Sequence, residues 1–304
     1  MSDVHDLMTR AASHVELIDH QGVDWERVRH TRYWMVQRFV YRYPGPVREL
    51  RQRLMVVPPD RYGDQVLRAF NLHISAPGAT TTSAVDAFGN RVLHVHIPHV
   101  DSEVSFETRL VVERHADGSG RLRVPTGEAL LFRAPTPLTT VDARIAGVAR
   151  ELVWRHSEPE EFAEAVNAWV YRAMRYRHGA TTVQTTASES LALGHGLCQD
   201  YSHIMLAICR AAGLPARYVS GHMLGEGGSH AWVEVLLWDG HGGYHPIAFD
   251  PTNHRRVTAA YITVSVGRDY RDVSPTTGSF IAPYPGHLTT SKRAGLTHLE
   301  YHPW

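Results

Sequence analysis

Two cysteines in 304 residues are too few to staple a fold, and these two cannot staple one another. Cys198 and Cys209 fall on what reads as a single helix, where eleven residues of rise separate them by roughly 16 Å. A disulfide requires Cα atoms within about 7 Å, so the chain reads as one kept in a reducing compartment, with Cys198 free for chemistry. An excess of one charge is also missing. Lys and Arg together number 31, as do Asp and Glu, so no overall field holds a polyanion or an anionic membrane surface. No apolar run approaches about 18 residues. The opening MSDVHDLMTRAASHVELIDH carries acids and histidines where a signal peptide needs a basic cluster and an apolar stretch. These absences predict no nucleic-acid partner, no membrane association and a cytoplasmic location. Low-complexity tracts are absent too, and 43% hydrophobic with 20% charged residues describes an ordinary packed chain, long enough for two domains.

What is present changes character along the chain. After a polar, helix-prone extension over residues 1–27, the segments TRYWMVQRFVYRY, QVLRAFNLHI, NRVLHVHIPH, SEVSFETRLVVER and GRLRVP place β-branched and aromatic residues at period two. They are separated by the turn signals VVPPDRYGD, SAPGATT, DAFGN and HADGSG. The prediction is a β-sandwich-like domain over residues 28–135. FRAPTPLTTVD then reads as a linker, beyond which the period becomes helical, over residues 141–154 and 159–175. Pro159 suits a first turn, and Phe162, Val166, Trp169, Val170 and Met174 form a stripe that belongs in a core. A second domain over residues 136–304 follows, and the class is α+β.

Within that second domain, SESLALGHGLCQDYSHIMLAICRAAGLPARYVSGHM reads as a glycine-containing turn, a helix ending near Gly213 and Pro215, and a strand. A cysteine in the first turn of a helix is activated by the positive end of the dipole and by unsatisfied N–H groups. Cys198 has that position. Gly194 and Gly196 let the backbone turn before it, and the Cys198 N–H is placed to serve an oxyanion hole. Asp200 reads as a stabiliser of the helix start. After LGEGGS, the strand HAWVEVLLW sets Ala231, Val233, Val235 and Leu237 on an apolar face and His230, Trp232 and Glu234 on the face left for chemistry. His230 opens the strand and is positioned to act as a base. Asp250, in IAFDPT on the next strand, suits the group that orients it. Each residue taken alone is ambiguous, since most lone cysteines are structural and the chain holds 21 histidines.

GHGLCQDYSHIMLAICRAAGLPARYVSGH, GSHAWVEVLL and FDPTN resemble the three core motifs of the transglutaminase-like superfamily of papain-fold thiol enzymes. VSVGRDYRDVSPTTGSF is similar to a tail segment of its bacterial subfamily. TRYWMVQRFVYRYPGPVRELRQRLMVVPP and DAFGNRV resemble that subfamily's N-terminal β-region. The likeness runs from about residue 28 to 285 and excludes the first 27. It implies a papain-like catalytic core in which a helix-borne Cys packs on an antiparallel sheet, with Cys198 as nucleophile, His230 as base and Asp250 as the orienting acid. Gln199 conforms to the residue common after the nucleophile. The chemistry implied is attack on an amide or peptide bond of a peptide or protein, through a thioester resolved by water or by an amine. Hydrolysis is the favoured outcome, because no second site for a lysine donor is evident. Transamidation, or an inactive protein-binding module, is the alternative.

Other signals are read more plainly. His94, His96 and His99 in LHVHIPH alternate along a strand as metal ligands can, yet no partnering Cys or carboxylate pattern accompanies them, so they are taken as solvent-facing, with no metal and no cofactor expected. Trp232, two residues after His230, is a candidate wall of the substrate cleft, as is Gln199, although a core position suits Trp232 equally well. Arg268, Asp269, Tyr270 and Asp272 read as a salt-bridged structural loop.

Overall fold

The computed structural model describes residues 2–116 and 120–303, with nothing said of the side chains of residues 2 and 3. Part of the HADGSG turn, Asp117 to Ser119, lies outside the described residues. The chain opens with helix α1 (Ser2–Thr9) and a short 3-10 turn at Ala12–His14, so the extension is helical only at its start. Its apolar residues are not idle. Leu7 and Val15 pack with Trp34 and Val111, and the Trp34 indole N–H donates to the Leu7 carbonyl at 2.8 Å.

The strands that follow are β1 (Val28–Arg42), β2 (Val47–Leu54), β3 (Arg61–Tyr62), β4 (Gln65–Ile74), β5 (Thr80–Val85), β6 (Arg91–Val100) and β7 (Glu103–His115). Period-two alternation drives them into two facing sheets. Tyr33, Met35 and Phe39 of β1 and Phe106, Leu110 and Val112 of β7 meet Leu50 and Leu54 of β2 and Val95 and Ile97 of β6 in one buried core. The sandwich is therefore as expected, with additions. β2 and β5, with the two-residue β3, fall outside the segments expected as strands, and GRLRVP forms only the two-residue β8 (Val124–Pro125), which pairs with the other domain's sheet.

Helix α2 (Thr126–Leu130) leads into the segment expected to be a linker, which is instead held down. The buried Arg210 guanidinium donates to the Phe132 carbonyl and to the Thr139 hydroxyl, at 3.0 and 2.8 Å. Helices α3 (Ala143–Arg155), α4 (Pro159–Ala173) and α5 (Ala187–Leu193), with short strands β9 (Arg175–Tyr176) and β10 (His195–Gly196), lead to α6 (Cys198–Ala211). Ile204, Met205, Leu206, Ala207 and Ile208 are all fully buried. A helix apolar all round is a central helix, and each large side chain so buried contributes about 1.5–3 kcal/mol.

The central helix lies on an antiparallel sheet built from β11 (Ala216–Met223), β12 (His230–Trp238), β13 (Gly243–Asp250), β14 (Arg255–Arg256) and β15 (Tyr261–Gly267), in the order β14-β13-β12-β11-β15. Ala231, Val233, Val235 and Leu237 face the helix, as alternation requires. The opposite face is closed by the sandwich. Glu234 accepts from Arg217 and from the Tyr62 hydroxyl at 2.8 and 2.6 Å. The free edge of β15 is completed by side chains that imitate a neighbouring strand. Gln65 donates to the Thr263 carbonyl and accepts its N–H at 2.8 and 2.9 Å, and Asn90 does the same for Val266 at 2.7 and 2.8 Å. DAFGN thus supplies a clamp as well as a turn.

After the short helix α7 (Tyr270–Val273), β16 (Thr276–Ile281) pairs with β2 and β17 (His287–Tyr301) pairs with β1 along nearly its whole length. Strand pairing therefore crosses the division expected at residue 135. The reason is physical: β1 and β2 offer open edges that a twenty-six-residue return can cover, while β15 has already been closed by Gln65 and Asn90.

Candidate active site

Cys198, His230 and Asp250, the three residues expected to act together, lie on three separate elements. Cys198 is the first residue of α6, reached through a left-handed Gly194 (φ 69°) and through Gly196. A side chain at 196 would collide with Asp200, since a Cβ there lies 2.5 Å from the Asp200 carboxylate. That carboxylate stabilises the helix start as expected, accepting the Leu197 N–H and the Thr181 hydroxyl at 2.7 Å each. Cys198 is partly exposed, whereas Cys209 is fully buried and burial pushes its thiol up to about 12.

His230 begins β12 opposite Gly221, and its ring joins the other two residues. Nε2 meets the Asp250 carboxylate at 2.8 Å, leaving Nδ1 for the Cys198 thiol, the ring's other hydrogen-bonding neighbour. Burial alone pulls the imidazole down. The hydrogen bonds and charges of Asp250 and Cys198 outweigh it and lift the ring to about 10.

Asp250 is fully buried at the end of β13 and serves as an acceptor for five donors. Besides His230, its Oδ2 accepts from the Tyr261 hydroxyl and the Asn253 amide at 2.7 Å each, and its Oδ1 accepts the Thr252 and Asn253 N–H groups at 3.0 and 3.3 Å. Burial pushes against ionisation, yet this set of donors, with His230 first, holds the carboxyl below its ordinary range. Tyr261 went unread in the sequence, where YITVSVG signals only a strand. Asn253 is visible in FDPTN, but its grip on Asp250 depends on the turn that follows β13.

Of the two places expected for Trp232, cleft wall and core, it takes the core. It is fully buried among Val219, Tyr261 and Val266, its ring centroid 6.3 Å from that of His230, and it backs the histidine instead of walling a cleft. Gly221 exists to admit it, since a Cβ there lies 2.5 Å from the indole and 2.1 Å from the Ile262 carbonyl oxygen. The face expected to be open for chemistry is thus covered at Trp232 and Glu234, and along β12 it is exposed only at Trp238. Gln199 sits beside the nucleophile, half-buried, with its Nε2 unpaired among the described residues. An aromatic that the sequence did not single out, Tyr176, stands half-exposed at the rim, where burial and the nearby Cys198 push its hydroxyl up to about 12. Parallel pairing of β9 with β10 brings it there.

The remaining signals are structural. His96 pairs with Glu49 and His99 with Asp101, at 3.0 and 2.9 Å. Arg268 grips Asp272 at 2.9 Å while Asp269 caps α7 through the Arg271 N–H. Among the described residues, no helix is long and apolar enough to cross a membrane.

Comparison with known proteins agrees with this architecture. Residues 146–251 match the model of the transglutaminase-like superfamily, and residues 33–113 match that of the bacterial transglutaminase-like N-terminal region. An uncharacterized protein of Mycobacterium leprae is 37% identical over 156 residues, which is 48% of this chain and only 53% of that protein's length. One from Mycobacterium tuberculosis is 29% identical over 273 residues, covering 81% of this chain and 87% of its own. Among solved structures, a candidate cysteine protease from Cytophaga hutchinsonii superposes with a TM-score of 0.73 over 90% of this chain and 93% of its own, at 19% identity, a likeness of fold. The chain thus matches, over residues 33–113, a bacterial transglutaminase-like N-terminal region and, over residues 146–251, the core of the transglutaminase-like superfamily.

Proposed function

We propose that the protein is a thiol hydrolase of amide or peptide bonds in a peptide or protein substrate, with Cys198 as nucleophile, His230 as acid and base, and Asp250 as the group that orients and charges His230. The observation that carries this reading is the position of His230. One ring nitrogen is fixed by a buried carboxylate while the other is left for the one thiol that reaches the surface.

In the first half-reaction the Cys198 sulfur attacks the amide carbon and forms a C–S bond, and the carbonyl electron pair moves to oxygen. The Cys198 N–H at the helix start, with the unpaired Gln199 Nε2 near it, suits the stabilisation of that oxyanion. Collapse breaks the C–N bond, and the His230 imidazolium gives its proton to the departing amine. In the second half-reaction neutral His230 takes a proton from water, whose oxygen attacks the thioester. The acid leaves, and the sulfur and imidazolium return to their starting state. Hydrolysis is favoured over transfer to an amine because the aromatic proposed as a dry wall, Trp232, is behind the histidine, and Tyr176 at the rim is half-exposed.

The test uses the intact protein. An acylating peptide should leave a mass adduct on Cys198 and not on Cys209, and turnover with rising primary amine should still release mainly the free acid. Capture of most acyl groups by millimolar amine would make the enzyme a transamidase. Equal, slow alkylation of the two cysteines by iodoacetamide, with no adduct from any peptide, would make the fold a binding module.

A further inference from the structure

On the outer face of the sandwich sheet, away from the triad, three adjacent strands bring histidines and carboxylates together. β1 contributes His30, β7 contributes Glu113 and His115, and β17 contributes His298 and Glu300. The register sets His30 opposite His115 on one side and opposite Glu300 on the other. Two sets of donor atoms lie within 4.8 Å of one another, His30–Glu113–His115 and His30–His298–Glu300, and His30 faces Glu113 with Nε2 at 3.6 Å and Glu300 with Nδ1 at 3.9 Å.

The two sets are not equivalent. His30 and His115 are stacked nearly parallel, at 8° with centroids 4.4 Å apart, so their in-plane lone pairs do not converge on a point. Glu113 is also held away from a ligand role by two arginines, its two oxygens accepting from Arg32 and Arg68 at 2.8 and 2.6 Å, though Oε2 keeps room for one more donor. On the other side, His30 and His298 are tilted by 53° with centroids 5.0 Å apart, which lets two nitrogens aim at one position. Glu300 offers Oε2 at 3.9 Å from His30 Nδ1 while its Oε1 stays with Arg29 at 3.0 Å. Adjacent ligands around a tetrahedral ion with bonds of 2.0–2.1 Å are about 3.3 Å apart, so a small inward turn of the three side chains closes the set.

We propose that His30 Nδ1, His298 and Glu300 form a binding site for a divalent first-row transition ion of the zinc type, with Glu113 as the outer partner that fixes His30. A metal-bound imidazole ordinarily gives its second N–H to a carboxylate. His30 Nε2 is buried, lacks a hydrogen-bond partner, and lies 3.6 Å from Glu113 Oε2. The proton that this nitrogen carries when Nδ1 binds an ion then has Glu113 Oε2 as its nearby acceptor, a small turn away from hydrogen-bond distance. The surrounding charge decides which ions fit. Arg29, Arg32 and Arg68 outnumber Glu113 and Glu300, which disfavours hard ions held by charge alone, such as calcium and magnesium, and leaves ions held by imidazole nitrogen. A bound ion would tie β17 to β1 at the end of the returning strand.

The experiment is calorimetric titration of Zn2+ into chelator-treated full-length protein, with the melting temperature followed in parallel. One equivalent binds and raises the melting temperature. His30→Ala, His298→Ala and Glu300→Gln each weaken that equivalent by about tenfold or more, and Glu113→Gln weakens it by about tenfold through the lost outer contact. His115→Ala and the surface variant His96→Ala leave it intact. Glu300→Gln alters a half-exposed side chain on an edge strand and keeps the test sound should His30→Ala not fold. No saturable Zn2+ binding, binding unchanged in His298→Ala and Glu300→Gln, an equal loss in His115→Ala, or equal affinity for Mg2+ would each overturn the assignment.

Discussion

Replacing Asp250 with Asn probes the triad at its most constrained point. Five donors converge on the carboxylate, three on Oδ2 and two on Oδ1. An amide keeps one acceptor and turns the other into a donor. If its oxygen stays with His230, Tyr261 and the Asn253 side chain, its NH2 faces the Thr252 and Asn253 N–H groups. The Asn253 N–H also donates to the Asp250 backbone carbonyl, so at about 1–3 kcal/mol for the one donor left unpaired the variant loses about 1–3 kcal/mol of stability while keeping its shape. One of the two partners that lift His230 to about 10, the Asp250 carboxylate, also loses its charge. In the wild type, the imidazole is protonated in folded and unfolded chains alike below pH 6.5, so its stabilisation is fully present there. Between 6.5 and about 10 the unfolded chain releases its proton first, and the stabilisation drains away. Asp250, held low, contributes above its ordinary range and loses that contribution as pH falls through its folded value. The variant should lose the acid dependence and show a weaker alkaline one, since only Cys198 then raises His230. Its turnover should fall by about a hundredfold to ten-thousandfold, with the alkaline limb of the pH–rate profile moved to lower pH. Denaturant melts at several pH values and a pH–rate profile for both proteins provide the readout. Turnover within tenfold of wild type, with an unmoved alkaline limb, refutes the role given to Asp250.

Cys198→Ala should abolish peptide turnover by at least about a thousandfold with an unchanged circular dichroism spectrum, because this thiol is partly exposed; residual activity above a hundredth of wild type excludes it as nucleophile. Tyr261→Phe removes one of the hydrogen bonds to Asp250 and should cost about 0.5–1.5 kcal/mol of stability, with a fall in kcat larger than any change in KM, read by steady-state kinetics. Gly221→Ala places a methyl group 2.5 Å from Trp232 and 2.1 Å from the Ile262 carbonyl, so a loss of about 3 kcal/mol or more is expected in thermal melts. Gln65→Ala strips both bonds from the Thr263 edge and should destabilise by about 2–4 kcal/mol, seen also as faster amide exchange in β15.

Much was legible in order along the chain. Period-two alternation marked β1, β4, β6 and β7, and helical spacing in Phe162, Val166 and Val170 marked α4, because both patterns are local consequences of backbone geometry. HAWVEVLLW and ARYVSGHM were bounded to the residue, since glycines and prolines at their ends leave no other register. Cys198 at a helix start, with His230 and Asp250 on successive strands, suggested a site, and the resemblance of the three motifs around them to those of the transglutaminase-like superfamily implied their roles. The tertiary structure decided what lies between residues far apart in sequence. Trp232 alternates onto the same side as His230, but whether that side meets solvent depends on Tyr62 and Phe88, more than a hundred residues away. The role of Tyr261 depends on where β15 lies beside β11, and the burial of the supposed linker depends on Arg210. The return of β16 and β17 to the sandwich follows from which strand edges stay open after the sheets assemble. A local sequence specifies the period of an element, but the choice of partner for an edge or a face is a competition across the whole molecule.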